Sequence, residues 1–391
     1  MLDTLGAGNV SLGDGLTYDA EAWAALERGE RPERDVLADA FFHLARVEER
    51  SAPAAVRDAH GRFPSSASCL DPLDPPLERL RSSLGVEPPR WFGARFAVAL
   101  THDVDVPWRW TRVGLRGAGS RIKRALASSA PGTAVREAGA LATAPVHRVK
   151  GTDPNWTFER VAEEEAERGA RSTFFVMAGH AHRADGPSAA AYARVRPRLV
   201  ATLLERGAEV GLHGSYTAAE EPSRLAAELE ALEGLAGTVA GQRFHYLRVD
   251  PHLNLRVLDS LGFRYDSSLG FADTIGFRAG IAHPFRPWDF ESDRALELVE
   301  IPLAAMDATL GEPRYLGLSV SGAEARVTAL LDRAAERGGG FALLWHNEWF
   351  DERAFPGWGR LYFRLMDEIA ARGGVCVSAG ELAEEAAAWL R

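Results

Sequence analysis

From residue 95 onward, short apolar runs alternate with amphipathic helical stretches, and that alternation restricts the chain to few architectures. The apolar runs are "RFAVAL" (95–100), "RSTFFVM" (171–177), "AEVGLH" (208–213), "RFHYLR" (243–248), "FRYD" (263–266), "ALELVEIPL" (295–303), "GFALLWH" (340–346) and "GVCVSA" (374–379). Helical periodicity falls at 156–169, 188–206, 218–237, 252–262, 320–337 and 358–372. Strand-then-helix order of this kind argues for a parallel sheet, either closed into a barrel or doubly wound. Ahead of it, residues 18–50 read as helical with Asp35 as a cap, and 51–92 are broken by Pro and Gly. The division this suggests is a small, mainly helical region over 1–92 followed by an α/β domain over 93–391. Two segments interrupt the alternation. Residues 106–152 form an insertion with nine basic residues and one acid, Glu137, and residues 270–294 form a long loop rich in Gly, Pro and aromatic residues. A loop of that length is usually functional or disordered.

With 391 residues, 46% of them hydrophobic, the chain can bury a large core. Two widely separated cysteines, Cys69 and Cys376, supply neither a disulfide framework nor a cysteine-based zinc site. No basic and apolar leader opens the sequence and no apolar run reaches membrane-spanning length, so the expected location is cytoplasmic. A net charge of −10 argues against nucleic acid as a partner. The basic insertion has a plain reading, a solvated helical lid, and two sharper ones: a receiver for an anionic substrate and a contact with a membrane surface.

The strand ends carry the chemistry. The first run is followed by Asp103 and Asp105, the third ends on His213, the fourth on Arg248, the fifth on Asp266 and the seventh on His346. In parallel α/β folds the carboxyl ends of the strands share one face, where ligands bind. Each residue alone has an ordinary reading: solvated acids at a strand end, a satisfied histidine, an arginine paired with a sheet carboxylate, a turn-capping Asp266. Five strands each delivering an ionisable group to one face point instead to an active site. Asp103 and Asp105, at i and i+2, share a side of the strand. A carboxylate and an imidazole suit a divalent transition metal, zinc first with cobalt and manganese as alternatives, and such a metal acidifies water for attack on an amide or ester. His346 is then placed to protonate a leaving group. Trp288, Trp345, Trp349 and Phe350 can stack on sugar rings, although packing is the commoner use of each.

"LTHDVD", "EVGLHGSY", "YLRVDPHLN" followed by "LGFRYDSSLGF", and "LLWHNEW" resemble, in order and approximate spacing, the polysaccharide deacetylase (NodB-homology) superfamily. The likeness spans roughly 95–385, while "DVLADAFFHLARVEERSAPAAVRDAHGRF" (35–64) and "GFRAGIAHPFRPWD" resemble a little-characterised bacterial subgroup. The resemblance implies a distorted (β/α)-barrel of about seven parallel strands and a metal-dependent hydrolase that removes an N-acyl group, acetyl above all, from a sugar or polysaccharide precursor, nucleotide- or lipid-linked forms included. It assigns Asp103 as the base, Asp105 and His213 as metal ligands, Arg248 as the residue orienting the base, and His346 as the acid. Ser215, Tyr216, Asp266, Trp345 and Asn347 become substrate-binding candidates, with the Ser215–Tyr216 amides available to an oxyanion. One position departs from the pattern: Thr217 stands where the family has its second histidine. His245 and His252 are the first candidates for the missing ligand, and His180, His182 and His283 the others. Thr217 also motivates a different reading, an inactive carbohydrate-binding or scaffold member. A third is hydrolysis of a non-sugar amide or an O-acyl ester.

Overall fold

The computed structural model describes residues 20–32, 35–127, 131–186 and 189–390, so the reading of the first residues as leaderless lies outside it. Among the described residues, four α-helices precede the sheet: α1 (Ala20–Glu27), α2 (Val36–Leu44), α3 (Val47–Ser51) and α4 (Pro76–Ser83). Asp35 caps α2 as expected, its side chain accepting from the amides of Leu37 and Ala38 at 2.9 Å. The strands are β1 (Phe96–Val104), β2 (Thr173–Met177), β3 (Glu209–Gly214), β4 (Gly241–Phe244) and β5 (Tyr265–Asp266). A small antiparallel pair, β6 (Trp288–Asp289) and β7 (Arg294–Ala295), comes next. The chain then forms β8 (Val299–Glu300), β9 (Leu303–Met306), β10 (Gly340–Leu344) and β11 (Gly374–Val377).

The main sheet runs β8-β5-β4-β3-β2-β1-β10-β9 with β11 added beside β1, and every pairing in it is parallel. Its two terminal strands, β8 and β9, are separated in the chain only by Ile301 and Pro302. One extended run, 299–306, therefore pairs with β5 through its first half and with β10 through its second, which curls the sheet into a distorted barrel. Pro302 marks the changeover, where a residue without an N–H costs the ladder nothing. The sequence reading of 295–303 as a single strand is thus divided among the end of β7, β8 and the start of β9. β1 lies at the centre and is buried along all nine residues, as a strand covered on both faces must be. It runs past its apolar run because each polar residue there is partnered. Thr101 Oγ1 donates to the Leu343 carbonyl (2.9 Å), and His102 bridges the Trp345 carbonyl (2.7 Å) and Glu165 (2.9 Å).

The helices between strands follow the sequence periodicity closely. The insertion forms a hairpin of α5 (Arg112–Ala127) and α6 (Pro131–Lys150); α7 (Phe158–Glu167), α8 (Ala189–Glu205), α9 (Pro222–Ala236) and α10 (Asn254–Ser260) come next. Then come α11 (Asp307–Gly311), α12 (Val320–Arg337), α13 (Trp358–Ala371) and α14 (Ala379–Trp389). Ser319 caps α12 and Ser378 forms a capping box with Glu381 at α14. Among the described residues no helix is long and apolar enough to cross a membrane.

The 270–294 loop is neither open nor disordered. Phe271, Ile275, Phe277, Ile281 and Phe285 are buried, and the segment receives the N-terminal helices. Phe277 N donates to Pro72 O (2.8 Å), and Arg278 donates twice to Glu49 (2.9 and 2.6 Å), which also accepts from Arg46 (2.9 Å). The close approach needs Gly276: its φ is +118°, and a Cβ there would sit 2.5 Å from Pro72 O.

Candidate active site at the carboxyl ends of the strands

The carboxyl ends of β1, β3, β4, β9 and β10 converge on a pocket of about 200 Å3 lined in part by Asp103, Asp105, His245, His346 and Glu348. A larger cleft, about 840 Å3, lies at the amino ends of β3 and β5. Its charges are arranged as ion pairs, such as Arg171 with Glu381 (2.5 Å) and Arg286 with Glu297 (2.6 Å), and we assign it no chemistry.

β1 delivers Asp103 and, just past its end, Asp105. Arg243 on β4, fully buried, donates to Asp103 Oδ1 (2.9 Å) and to Thr101 Oγ1 (2.9 Å). The same guanidinium is anchored by the Ser267 carbonyl (2.7 Å) and hydroxyl (2.9 Å) and lies 4.5 Å from the Phe175 ring centre. His213 Nε2 approaches Asp105 Oδ1 at 3.2 Å, and His245 Nε2 approaches Asp105 Oδ2 at 3.5 Å. Ligand atoms of Asp105, His213 and His245 all lie within 4.8 Å of one another.

The outer atoms of these imidazoles are fixed. His213 Nδ1 meets the Arg243 carbonyl at 2.9 Å, so it carries the proton and leaves the Nε2 lone pair directed at Asp105. His245 Nδ1 meets Asp185 Oδ1 at 3.1 Å, and Asp185 itself accepts from the amides of Ala181, His182 and Tyr216. Facing inward, His213 Nε2 and Asp105 Oδ1 are buried without a hydrogen-bond partner. Two inward nitrogens, each ring held from behind through its Nδ1, and the Asp105 carboxylate form a donor set that fits a divalent transition metal. Burial works against the Asp105 anion, but the charges of His245 and His346 hold its carboxyl well below the usual range. Burial likewise opposes the His245 cation, and Asp105 with Asp185 raises it to about 9.

His346 stands on the other side of Asp105, with Nε2 3.8 Å from Asp105 Oδ2. Its Nδ1 meets Asp307 Oδ1 at 2.7 Å, and its amide donates to Asp307 Oδ2 at 2.6 Å. Burial disfavours the imidazolium, yet Asp307 more than offsets it and His346 is raised well above its ordinary value. Glu348, in the turn after His346, is pushed up to about 7 by burial and the Asp105 charge.

Several expected residues lie elsewhere. Arg248 does not reach Asp103; its guanidinium donates to the carbonyls of His60 (2.8 Å) and Tyr216 and pairs with Glu220. The apolar run 243–248 continues through a turn, so periodicity placed the strand end too late. β4 stops at Phe244, and Tyr246 and Leu247 follow with φ of +61° and +54°. His252 turns to the Arg46 carbonyl (3.0 Å), and His283 is buried beside Pro284 and Trp91. His180 packs on Tyr192, and His182 stacks on Tyr216 at 4.4 Å. Thr217 is outside the donor group. The Ser215 and Tyr216 amides are already occupied, by Glu228 (2.9 Å) and Asp185 (2.6 Å), so neither is free for an oxyanion. Asp266 is fully buried against Gln242 and Ser268. Trp345 is packed by Trp358 and Tyr362, and Asn347 is tied to the Val106 and Asn155 carbonyls. Of the four aromatics considered for sugar stacking, Trp349 lines the pocket. Arg243, Asp185, Asp307 and Glu348 were not found by sequence reasoning. For Arg243 a signal existed: "RFH" places an arginine and a histidine two apart, the arginine on β4 and the histidine just past its end.

No protein-family model matches this sequence, and no curated protein matches it. Among solved structures, one described as a "putative polysaccharide deacetylase" from Mycobacterium smegmatis is 21% identical, covers 78% of this chain and 94% of its own, and superposes with a TM-score of 0.51. Puue allantoinase (14% identity, 77% of this chain and 94% of that one, TM-score 0.49) and a probable polysaccharide deacetylase from Pseudomonas aeruginosa PAO1 (15%, 77% and 95%, 0.49) are also similar. The first of these likenesses is one of fold: the barrel described above is the architecture of that protein.

Proposed function

We propose that the chain is a metal-dependent hydrolase of the polysaccharide deacetylase superfamily, removing an N-acyl group from a sugar or sugar-containing precursor. The observation that carries this reading is the inward-facing set of Asp105, His213 and His245, placed between Asp103 with its arginine and His346 with its aspartate. Asp105, His213 and His245 would hold the metal. A divalent cation bound by them supplies a Lewis acid that acidifies water and polarises a carbonyl. Asp103, held in place by Arg243, takes the proton from the attacking water. His346, charged and oriented by Asp307, gives a proton to the departing amine. The pocket wall offers the rings of Trp349, Tyr246 and Tyr315 and the polar groups of Arg62 and Arg314 to a sugar.

Thr217 was the reason to consider an inactive member, and His245 supports the active reading by supplying a third donor from a different strand. Hydrolysis of a non-sugar amide or an O-acyl ester makes the same demands on these residues, so the substrate must be tested directly. The test is acetate release from a panel of N-acetylated sugars, sugar nucleotides and lipid-linked sugars after loading with zinc, cobalt or manganese. Release that is abolished by a chelator and by Asp103→Asn supports the proposal; a loaded protein that releases acetate from none of the panel contradicts the substrate class.

A further inference from the structure

Charge is distributed unevenly along this chain. Residues 106–152 hold nine of the 45 basic residues and one of the 55 acids, and the only two lysines of the protein, Lys123 and Lys150, both lie there. The remainder carries 36 basic and 54 acidic residues, so a strongly cationic hairpin is set on an anionic body. The single acid, Glu137, is paired with Arg109 at 3.2 Å. Arg116, Lys123 and Lys150 are exposed and have no ion-pair partner among the described residues.

The same hairpin exposes apolar surface. On α6, Val135, Ala138, Ala142, Val146 and Val149 recur at spacings of three and four, which places them on one face of the helix, and all five are exposed. Val135 is 72%, Val146 52% and Val149 87% accessible, and Leu126 at the end of α5 is 63% accessible. The opposite face of α6 is buried at Ala134, Ala140 and Ala144, and α6 packs along α5. Among the described residues the valine face therefore has no partner, and the exposed Lys150 adjoins Val149 at its end.

The hairpin is also tied to the pocket. It starts seven residues after Asp105, and its roots are bonded to the segment that follows His346: Asn347 donates to the Val106 and Asn155 carbonyls, and Arg109 pairs with Asp351 at 2.9 Å.

We propose that the α5–α6 hairpin is a docking element for an anionic lipid bilayer, which it holds beside the mouth of the pocket. Clustered cations are attracted to an acidic leaflet, and an aliphatic helix face flanked by those cations can settle at the boundary between headgroups and acyl chains. A nucleic acid offers the same negative charge but no apolar phase for three valines and a leucine, which is why lipid is the favoured occupant. A second copy of the chain offers acidic surface too, but the positive hairpin of each copy would repel the other across a symmetric contact. This proposal concerns the surface alone and does not depend on the hydrolytic reading of the pocket, so each can fail without the other.

Sedimentation of the purified full chain with vesicles tests it, using phosphatidylcholine alone and phosphatidylcholine with about 30% phosphatidylglycerol. The expected result is binding to the anionic vesicles at least about tenfold tighter than to the neutral ones, each basic residue near the surface being worth roughly fivefold. Binding should weaken in roughly 0.5 M salt. It should also weaken in the double variant Val146→Asp/Val149→Asp and, separately, in Lys123→Gln/Lys150→Gln, each folding to the same circular dichroism spectrum as the parent. Because the chain has two lysines, amine acylation mapped by mass spectrometry gives an independent readout on the unaltered protein: anionic vesicles should protect Lys123 and Lys150 and neutral ones should not. Equal sedimentation with both vesicle types, or unprotected lysines, overturns the proposal. So does a dimer in lipid-free solution that the valine variants abolish, or retention on duplex DNA without retention on vesicles.

Discussion

Around Arg243 four acceptors converge on one guanidinium: Asp103 Oδ1, Thr101 Oγ1, and the carbonyl and hydroxyl of Ser267. A lysine offers a point charge in place of this planar fork and can satisfy only part of the set. Arg243→Lys is therefore expected to lower kcat on the order of 10²-fold by releasing Asp103, in line with the usual worth of a positioned base. Arg248→Lys, whose partners are remote from Asp103, should leave kcat within about threefold. Steady-state kinetics on the two variants separates their roles, and equal losses would count against the placement of Asp103. At the other side of the pocket, Asp307→Asn keeps the shape but removes the charge that favours the His346 cation. A fall in kcat on the order of 10²–10⁴-fold with KM little changed is expected, and an unchanged pH profile of kcat would contradict the assignment. Asp103, Asp105, His213 and His346 are legible in the sequence because they end or follow apolar runs. Asp307 and Asp185 are not: each acts through a histidine far from it in the chain, and Asp307 directly follows β9, whose end lies three residues beyond the apolar run 295–303.

At the scale of elements, a buried ion triangle helps to dock the N-terminal helices onto the barrel. Glu49 accepts from Arg46 and Arg278, and all three side chains are almost fully buried. Removing the carboxylate charge by Glu49→Gln leaves the buried Arg278 guanidinium without its counter-ion and Arg46 with Glu48 alone, which is expected to cost about 3–5 kcal/mol in denaturant unfolding. The pH dependence has a definite sign. Burial alone would raise the Glu49 carboxyl, but Arg278 and Arg46 hold it down to about 2 from an ordinary 4.5. A depressed carboxylate stabilises the fold above its unfolded value and loses that contribution as pH falls from about 4.5 towards about 2. The contribution is about 3 kcal/mol, so acid unfolding should be steeper in the parent than in Glu49→Gln. The helices were read almost to the residue where caps and periodicity agree, as for α12 over 320–337. The 270–294 segment was misjudged because a Gly- and Pro-rich stretch resembles an open loop until its burial partner, the N-terminal region, is known. The end of β4 was misplaced for a related reason, since alternation continues through a turn in which Tyr246 and Leu247 adopt left-handed backbone.

For the molecule as a whole, the closure of the sheet through 299–306 is what brings β1, β3, β4 and β10 around one pocket, and with them an aspartate and two histidines that no short motif contains. The central claim is that Asp105, His213 and His245 hold one divalent cation and that His245 takes the part a histidine at position 217 would have played. Metal content of the purified protein, measured by mass spectrometry after equilibration with zinc and removal of the excess, tests this most directly. The account predicts about one zinc per chain in the parent and in His252→Ala, and loss of the metal in His245→Ala and His213→Ala with the fold retained. A parent protein that holds no metal, or a His245→Ala variant that holds as much as the parent, would contradict it.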